Sequence, residues 1–398
     1  MLIIQIIKAD QDMTRYEKYF IPVYKRIDKV IIGGEGSVLY TKDGGYLDMF
    51  SGLGVNILGY GNKKVNKAVE EQLKKHSHLS NYFEAESVGK LAKYLIEHSF
   101  AEKVFFSNSG TEAVEAGLKI IRKYGKNNGR KNIITFTNAF HGRTLGSASI
   151  TAPDKSSFYN QSGMTGVLTL EFNNMKDLDR INSEAAGVFI ELIQGQGGIN
   201  VAEKVFVREL KKRTDKFKVI LMADEIQSGM GRTGKLLSFE NYSIEPDLAV
   251  IAKAIGGGLP LGALLANKDF CDYLTVGEHG STFGGNPVSC AAGLATIKQI
   301  DSGKFMDSVT LKGELLKEEV FKLKKKHPDK IGRISGMGLM IGTEILKNEG
   351  KVRELFENEH IFVNMTQGNI LRLLPPLIIT EEEIYRFINS FEKVLKLL

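Results

Sequence analysis

Between Asn62 and about Phe270, short apolar runs alternate with longer stretches in which apolar residues recur at helical spacing. That alternation narrows the fold of this 398-residue chain more than any other feature. Runs at 103–106, 133–136, 188–193, 219–223, 247–251 and 261–266 are too short for helices and read as buried strands. Among the intervening segments, Asn62 can cap a helix with Val65, Val69 and Leu73 on its apolar face. Another helix carries Ala113, Ala116, Gly117, Ile120, Ile121 and Tyr124. Strand and helix in alternation predict an α/β layer structure with a largely parallel sheet covered on both faces.

After about Pro287 the texture changes to helical segments, strand-like runs at 334–345 and 370–374, and a closing helix. That helix opens with Thr380 and Glu383 at capping-box spacing and carries Ile384, Phe387, Ile388, Phe391, Val394 and Leu395 on one face. The first fifty or so residues are punctuated by Gly33-Gly-Glu-Gly and Asp43-Gly-Gly, as strands joining the small domain or the active-site rim would be. The expected division is therefore 1–55 for this segment, 56–287 for a large domain and 288–398 for a smaller α+β domain.

Two of the buried runs end on charge. Asp224 closes one, which places its carboxylate at the carboxyl edge of the sheet, where open α/β sheets bind ligands. Lys253 follows another and precedes Gly256-Gly-Gly258. A lysine in so apolar a setting has a depressed pKa and supplies free amine, as a Schiff base with pyridoxal 5'-phosphate requires, while a buried aspartate suits that cofactor's pyridinium nitrogen. The bland alternatives are a solvated lysine and a structural salt bridge.

Three further segments fit the same ligand. Ser107-Asn-Ser-Gly-Thr-Glu-Ala113 leaves a strand and opens a helix, so its N–H groups and the Ser109 and Thr111 hydroxyls form an anion site, or simply a helix cap. In Phe140-His-Gly-Arg-Thr144, Phe140 can stack on an aromatic ring and Arg143 can clamp a carboxylate, whereas His141 is given only ring packing. Gln227 can donate to a ring oxygen, and His279-Gly-Ser-Thr-Phe-Gly-Gly-Asn-Pro287 is either a second hydroxyl cluster or a connecting turn.

The net charge of +6 comes from dispersed lysines, densest at Lys322 to Lys326, and no basic patch is interleaved with aromatics. Nucleic-acid binding is not expected, although an anionic small molecule or an acidic protein partner would suit the charge. Cys271 and Cys290 lack metal-ligand or disulfide spacing, read as buried fillers, and point to a reducing, cytoplasmic setting without zinc. The apolar start at 1–8 is too short for a signal sequence, and no run reaches membrane-spanning length.

Taken in order, SGTEA (109–113), FHGRT (140–144), the QG-GG loop (194–198), DEIQSGMGRTG (224–234), AKAIGGGLPLGA (252–263), HGSTFGGNP (279–287) and LRLLPPL (371–377) resemble the class III pyridoxal phosphate aminotransferases. The acetylornithine aminotransferase group is the nearest in pattern, and the matches run from about Asp48 to Pro376. The resemblance implies a fold of the aspartate aminotransferase type, with a mixed seven-stranded sheet in the large domain and a homodimer with shared active sites. It implies that Gly110 and Thr111 hold the phosphate, Phe140 stacks on the ring, Asp224 meets the pyridine nitrogen and Gln227 the ring hydroxyl. Lys253 then anchors the cofactor and carries protons. Arg143 takes the substrate carboxylate, and Ser281 and Thr282 reach the neighbouring subunit's substrate and phosphate. The reaction implied moves the terminal amino group of N2-acetylornithine to 2-oxoglutarate in arginine biosynthesis. A lysine-pathway substrate on an acidic carrier protein, a 4-aminobutyrate-type enzyme, a racemase or decarboxylase, and a non-catalytic binding protein remain alternatives.

The chain departs from the family pattern at several positions. Leu192 and Gln196 stand in Glu191-Leu-Ile-Gln-Gly-Gln-Gly-Gly198 where the family has proline and glutamate. In related ω-aminotransferases that glutamate masks the arginine corresponding to Arg372, and a neutral Gln196 cannot do so by charge. Arg372 is therefore expected to stay available to a carboxylate in both half-reactions. Leu53 replaces the tyrosine of ornithine δ-aminotransferases, which counts against free ornithine. Tyr60-Gly-Asn-Lys replaces the family's His-x-His-Pro, and Val114 its asparagine.

Overall fold

The computed structural model describes residues 18–151 and 164–398, so the apolar start at 1–8 lies outside the described residues. Three antiparallel strands come first: β1 (Gly33–Glu35), β2 (Val38–Thr41) and β3 (Gly44–Asp48). Helices α1 (Lys63–Lys75) and α2 (Glu86–Glu97) follow. The next segment builds β4 (Lys103–Ser107), α3 (Gly110–Asn127), β5 (Asn132–Phe136), α4 (Leu145–Ile150), β6 (Val167–Leu170) and β7 (Ala185–Ile190). A hairpin of β8 (Ile193–Gln194) and β9 (Asn200–Val201) leads to α5 (Lys204–Phe217), β10 (Ile220–Asp224), β11 (Leu248–Ile251) and β12 (Gly262–Ala266).

Seven of these strands form one sheet in the order β4-β12-β11-β10-β7-β5-β6, with β12 antiparallel to both neighbours and the other pairs parallel. The expected mixed seven-stranded α/β sheet is thus present. Its central strands are buried on both faces, and the period of two sends alternate residues into different cores. Leu221, Ala223, Ala249 and Ile251 join one core, while Ile220, Met222, Leu248 and Val250 join the other. Helix α3 covers the second core through Ala113, Ala116, Ile120 and Ile121, whereas α5 covers the first through Phe206, Val207 and Leu210.

The C-terminal part contains α6 (Pro287–Ile300), α7 (Gly303–Lys326), β13 (Ile331–Met337), β14 (Met340–Ile345), α8 (Val352–Asn358), β15 (Ile361–Phe362), β16 (Asn364–Thr366), β17 (Ile370–Leu373) and α9 (Glu381–Leu397). A second sheet runs β13-β14-β17-β16, and β15 pairs in parallel with β3, so both ends of the chain meet. Helix α9 has the expected Thr380–Glu383 capping box, and its six anticipated apolar residues are all buried. Lys322 and Lys326 pair with Glu319 and Glu392, as a solvated face would.

Some expectations fail for local reasons. The run at 188–193 ends as a strand at Ile190, because the Glu191 side chain turns to accept the N–H groups of Phe140 and Gly195. The run at 334–345 is two strands folded about Gly338 at φ 53. Leu73 is 52% exposed, and Gln72 is buried in its place, donating to the His76 carbonyl at 3.0 Å. Cys271 is half-exposed rather than a buried filler; Cys290 is buried as expected. Strand β6 was not anticipated.

One buried polar cluster ties the chain ends to the sheet. Residues 51–54 all have left-handed φ, Ser51 at 43°, Gly52 at 62°, Leu53 at 68° and Gly54 at 82°. Asp48 caps this turn, its Oδ1 accepting from Phe50 N (2.9 Å) and Ser51 N (3.0 Å), while the Tyr60 hydroxyl donates to Oδ2. Tyr60 thus has a structural task at the position where the family pattern has histidine, and Val114 is fully buried in the α3 core. Arg232 supplies the positive charge. It is buried, donates to the carbonyls of Leu339 (3.0 Å) and Pro375, and reaches Ser51 Oγ at 3.4 Å. Burial pulls its pKa to about 9, against the attraction of Asp48. Removing one partner of a buried charge cluster strands the other. Arg232→Met is accordingly expected to lower unfolding free energy by about 3 kcal/mol, read from the urea midpoint; a loss below about 0.5 kcal/mol, the scatter of neutral surface changes, would contradict the role given to this cluster.

Candidate active site

Asp224 is the last residue of β10, and in the parallel ladder it lies opposite Val250 of β11. Just past that strand, Lys253 opens a tight 3-10 turn with φ 51, a left-handed conformation that costs a non-glycine residue about 1–3 kcal/mol. Adjacent parallel strands therefore deliver a carboxylate and an amine to one edge of the sheet. Burial pulls the Lys253 ammonium from 10.5 down to about 8. Asp224 and Glu191 hold it up, and Arg372 pushes it further down. Strain and a depressed pKa in one lysine mark a reactive amine rather than a solvated one.

Asp224 and Glu225 are both buried, yet their surroundings differ. Glu225 accepts from Ser238 N (2.8 Å), Ser238 Oγ (2.7 Å), Phe239 N (3.0 Å) and Ser228 Oγ (3.1 Å), so it is saturated and structural. Asp224 accepts only from Ile226 N (3.0 Å) and from His141 Nδ1 (2.7 Å), which leaves capacity for a further cation. His141 is also buried, and among the described residues its Nε2 has no hydrogen-bond partner. Burial opposes its charged form, but the hydrogen bond and charge of Asp224 outweigh that and raise its pKa. His141 packs against the Phe189 ring, centroids 5.7 Å apart; neither this partner nor the contact with Asp224 is given by the sequence, because a lone histidine carries no partner there. Glu191 was likewise passed over. Its carboxyl is held above the usual range by burial and by nearby Asp224.

The segment expected to hold an anion lies at the start of α3. Ser109 caps the helix, its Oγ accepting from Glu112 N at 3.3 Å, so capping and a free O–H donor coexist. Thr111 Oγ1 meets Ser147 Oγ at 2.6 Å and Thr144 Oγ1 at 3.0 Å. A Cβ on Gly110 would lie 2.6 Å from Ile226 Cδ1, so a larger residue there requires the Ile226 side chain to shift. Phe140 stands half-buried beside the cup, with Arg143 5.5 Å from its ring centroid.

Arg372, on β17, is buried. Its Nη1 donates to Gly195 O at 3.0 Å and lies 3.4 Å from both Gln196 Oε1 and Gln227 Oε1. Gln227, three residues past Asp224, therefore lies against the guanidinium. Ser281 Oγ accepts from Asn108, in the turn before α3, at 3.1 Å, and Thr282 is exposed beside it. Among the described residues no group of side chains has the composition of a metal site.

A helix N-terminus with two hydroxyls, a buried carboxylate backed by a histidine, and a depressed lysine together fit a phosphorylated pyridine aldehyde. Residues 23–395 match the Aminotransferase class-III family. The chain belongs to that family. It is 39% identical to the acetylornithine aminotransferase of Clostridium acetobutylicum over 96% of this chain and 100% of that one. Among solved structures, the acetylornithine aminotransferase of Elizabethkingia anophelis superposes with a TM-score of 0.86 at 28% identity, covering 97% and 98% of the two chains. A Toxoplasma gondii ornithine aminotransferase with partial PLP occupancy gives 0.91 at 27% identity, covering 96% and 93%. This class III aminotransferase is a pyridoxal phosphate-dependent transaminase.

The Lys253 environment makes a direct prediction. In apoenzyme, the rate of cofactor capture should rise with pH through a midpoint near 8, since only the free amine reacts. A midpoint near the ordinary 10.5 would show that burial does not tune this amine.

Proposed function

We propose that the enzyme transfers the terminal amino group of N2-acetylornithine, or of a similarly blocked ornithine or lysine, to 2-oxoglutarate. The observation that carries this reading is the delivery of Asp224 and Lys253 to one sheet edge, with Arg372 of the second sheet reaching Gln227 three residues past Asp224, in a chain whose 39%-identical relative is an acetylornithine aminotransferase. Leu53, 41% exposed in the left-handed turn, offers no polar group to a free α-amine, which favours a blocked donor.

In this reading Ser109, Gly110 and Thr111 hold the phosphate, Phe140 stacks on the ring, and Asp224 meets the pyridine nitrogen with His141 fixing its carboxylate. Gln227 reaches the ring hydroxyl and Thr282 the partner subunit's phosphate. When bound, the cofactor supplies an electron sink that makes the amine-bearing carbon acidic. Lys253 Nζ takes the proton from that carbon, and its pKa, lowered to about 8, puts much more of the amine in the free, basic form near neutral pH than an ordinary lysine has. Arg143 and Arg372 bind carboxylates and fix the distance from carboxylate to reacting carbon, with Ser281 and Gln196 lining the substrate side. Transfer is ping-pong: the aldehyde product leaves before 2-oxoglutarate enters.

The proposal extends to a homodimer in the cytoplasm. Tyr82 (96% exposed) and Phe83 (69%) flank the segment whose Asn81 binds Ser281 O, and Phe283 (58%) adjoins Thr282. So much exposed aromatic surface at the mouth of a site suits a second copy. Free Cys271 and Cys290 suit a reducing compartment.

The test is a half-reaction screen on holoenzyme, following the cofactor absorbance with N2-acetylornithine, ornithine, 4-aminobutyrate and glutamate. N2-acetylornithine should exceed ornithine by at least about tenfold, the scale of one misplaced polar group, and Lys253→Ala should abolish turnover. Faster reaction with free ornithine, or sustained turnover beyond one equivalent of enzyme without a keto acceptor, would overturn the assignment.

A further inference from the structure

Arg372 is a buried cation whose hydrogen bonds all go to neutral oxygens. Its direct cross-strand neighbour is Asn364, since β16 and β17 pair Asn364 with Arg372. The single oxygen Asn364 Oδ1 accepts from Nε at 3.1 Å and from Nη2 at 2.7 Å, which fixes one edge of the planar guanidinium. On the other side Gly195 O fixes Nη1 at 3.0 Å. The same hairpin grips the loop that supplies this carbonyl, because Thr366 Oγ1 donates to Gln196 O at 2.8 Å and Gln367 Nε2 does so at 3.1 Å. Guanidinium and loop are thus held by one piece of backbone.

What remains is the edge between Nη1 and Nη2. Among the described residues, the amide oxygens of exposed Gln196 and half-buried Gln227 approach its Nη1 end, both at the 3.4 Å limit of a useful hydrogen bond. A carboxylate arriving there displaces two weak neutral contacts and breaks no ion pair, and it meets a planar fork already oriented for two parallel N–H···O bonds. A buried guanidinium without an anionic partner is costly, which makes the approaching carboxylate the group that completes the site.

We propose that Asn364 is the positioning residue that presents the Nη1–Nη2 edge of Arg372 to a substrate carboxylate in the half-reaction with 2-oxoglutarate. The proposal rests on the reading above that Arg372 takes a substrate carboxylate, and it deepens that reading: the gate in front of Arg372 is uncharged, and Asn364, not an acidic side chain, sets its geometry. The substrate class that gains most is a dicarboxylate of five carbons, with one group on each arginine.

Glutarate is the probe, because it carries both carboxylates and neither amine nor ketone. Its dissociation constant is measured calorimetrically on wild-type, Asn364→Leu and Asn364→Asp holoenzymes. The leucine variant, which cannot accept from Nε and Nη2, should bind glutarate about tenfold more weakly, the scale of one lost charge-assisted bond. The aspartate variant is isosteric and keeps both bonds, but its charge competes with the ligand, so it should bind at least as weakly; it also keeps the test decisive if the leucine variant does not fold. Wild-type affinity in Asn364→Asp, or a change below about twofold in folded Asn364→Leu, overturns the role of Asn364. Failure of wild-type holoenzyme to transaminate any amine would instead overturn the functional reading on which it stands.

Discussion

The carboxylate of Asp224, buried at the end of a parallel strand, is the group on which the rest of the site depends. Taking a carboxylate out of water is unfavourable by several kcal/mol unless cations and donors surround it. Asp224 has one backbone N–H and one imidazole, so its environment is incomplete in a way that Glu225's is not. Around this anion the remaining charges are graded. Lys253 loses basicity through burial, Glu191 is held toward its protonated form, and His141 is held toward its charged form. The strand register places them: with Asp224 opposite Val250, the chain leaving β11 brings Lys253 to the same edge.

Much of this was legible in the sequence because period and chain order encode it. Apolar runs ending in Asp224 and preceding Lys253 gave a sheet edge with an amine and a carboxylate, and the Ser109–Thr111 turn gave the anion cup. The features that stayed hidden are those in which distant segments meet. His141 and Asp224 lie on different strand-end loops, and nothing in FHGRT says which carboxylate its imidazole will face. Asn364 is silent in sequence because its importance lies entirely in strand pairing with Arg372. The β13–β14 hairpin was read as one run because apolar residues continue across the Gly338 turn.

The two ends of the site are built on different physics. At the cofactor end, charged and hydroxyl groups converge from rigid strand and helix termini. At the carboxylate end, a buried arginine is fixed by an asparagine and a backbone carbonyl and screened by two amides. The expectation from Gln196 alone was an arginine without an ionic mask; the structure adds what holds that arginine still. The left-handed turn at 51–54, braced by Asp48, Tyr60 and Arg232, ties the rim of the site to both ends of the chain.

If Asp224 is a buried anion kept for the pyridinium of the cofactor, its charge and not its shape is what matters. The direct measurement is the equilibrium dissociation constant of pyridoxal phosphate for wild-type enzyme and Asp224→Asn, an isosteric change that removes the charge. Loss of one partner in a buried hydrogen-bonded charge pair predicts binding weaker by about 30-fold or more. Unchanged affinity in a folded Asp224→Asn enzyme would contradict the central place given to this carboxylate.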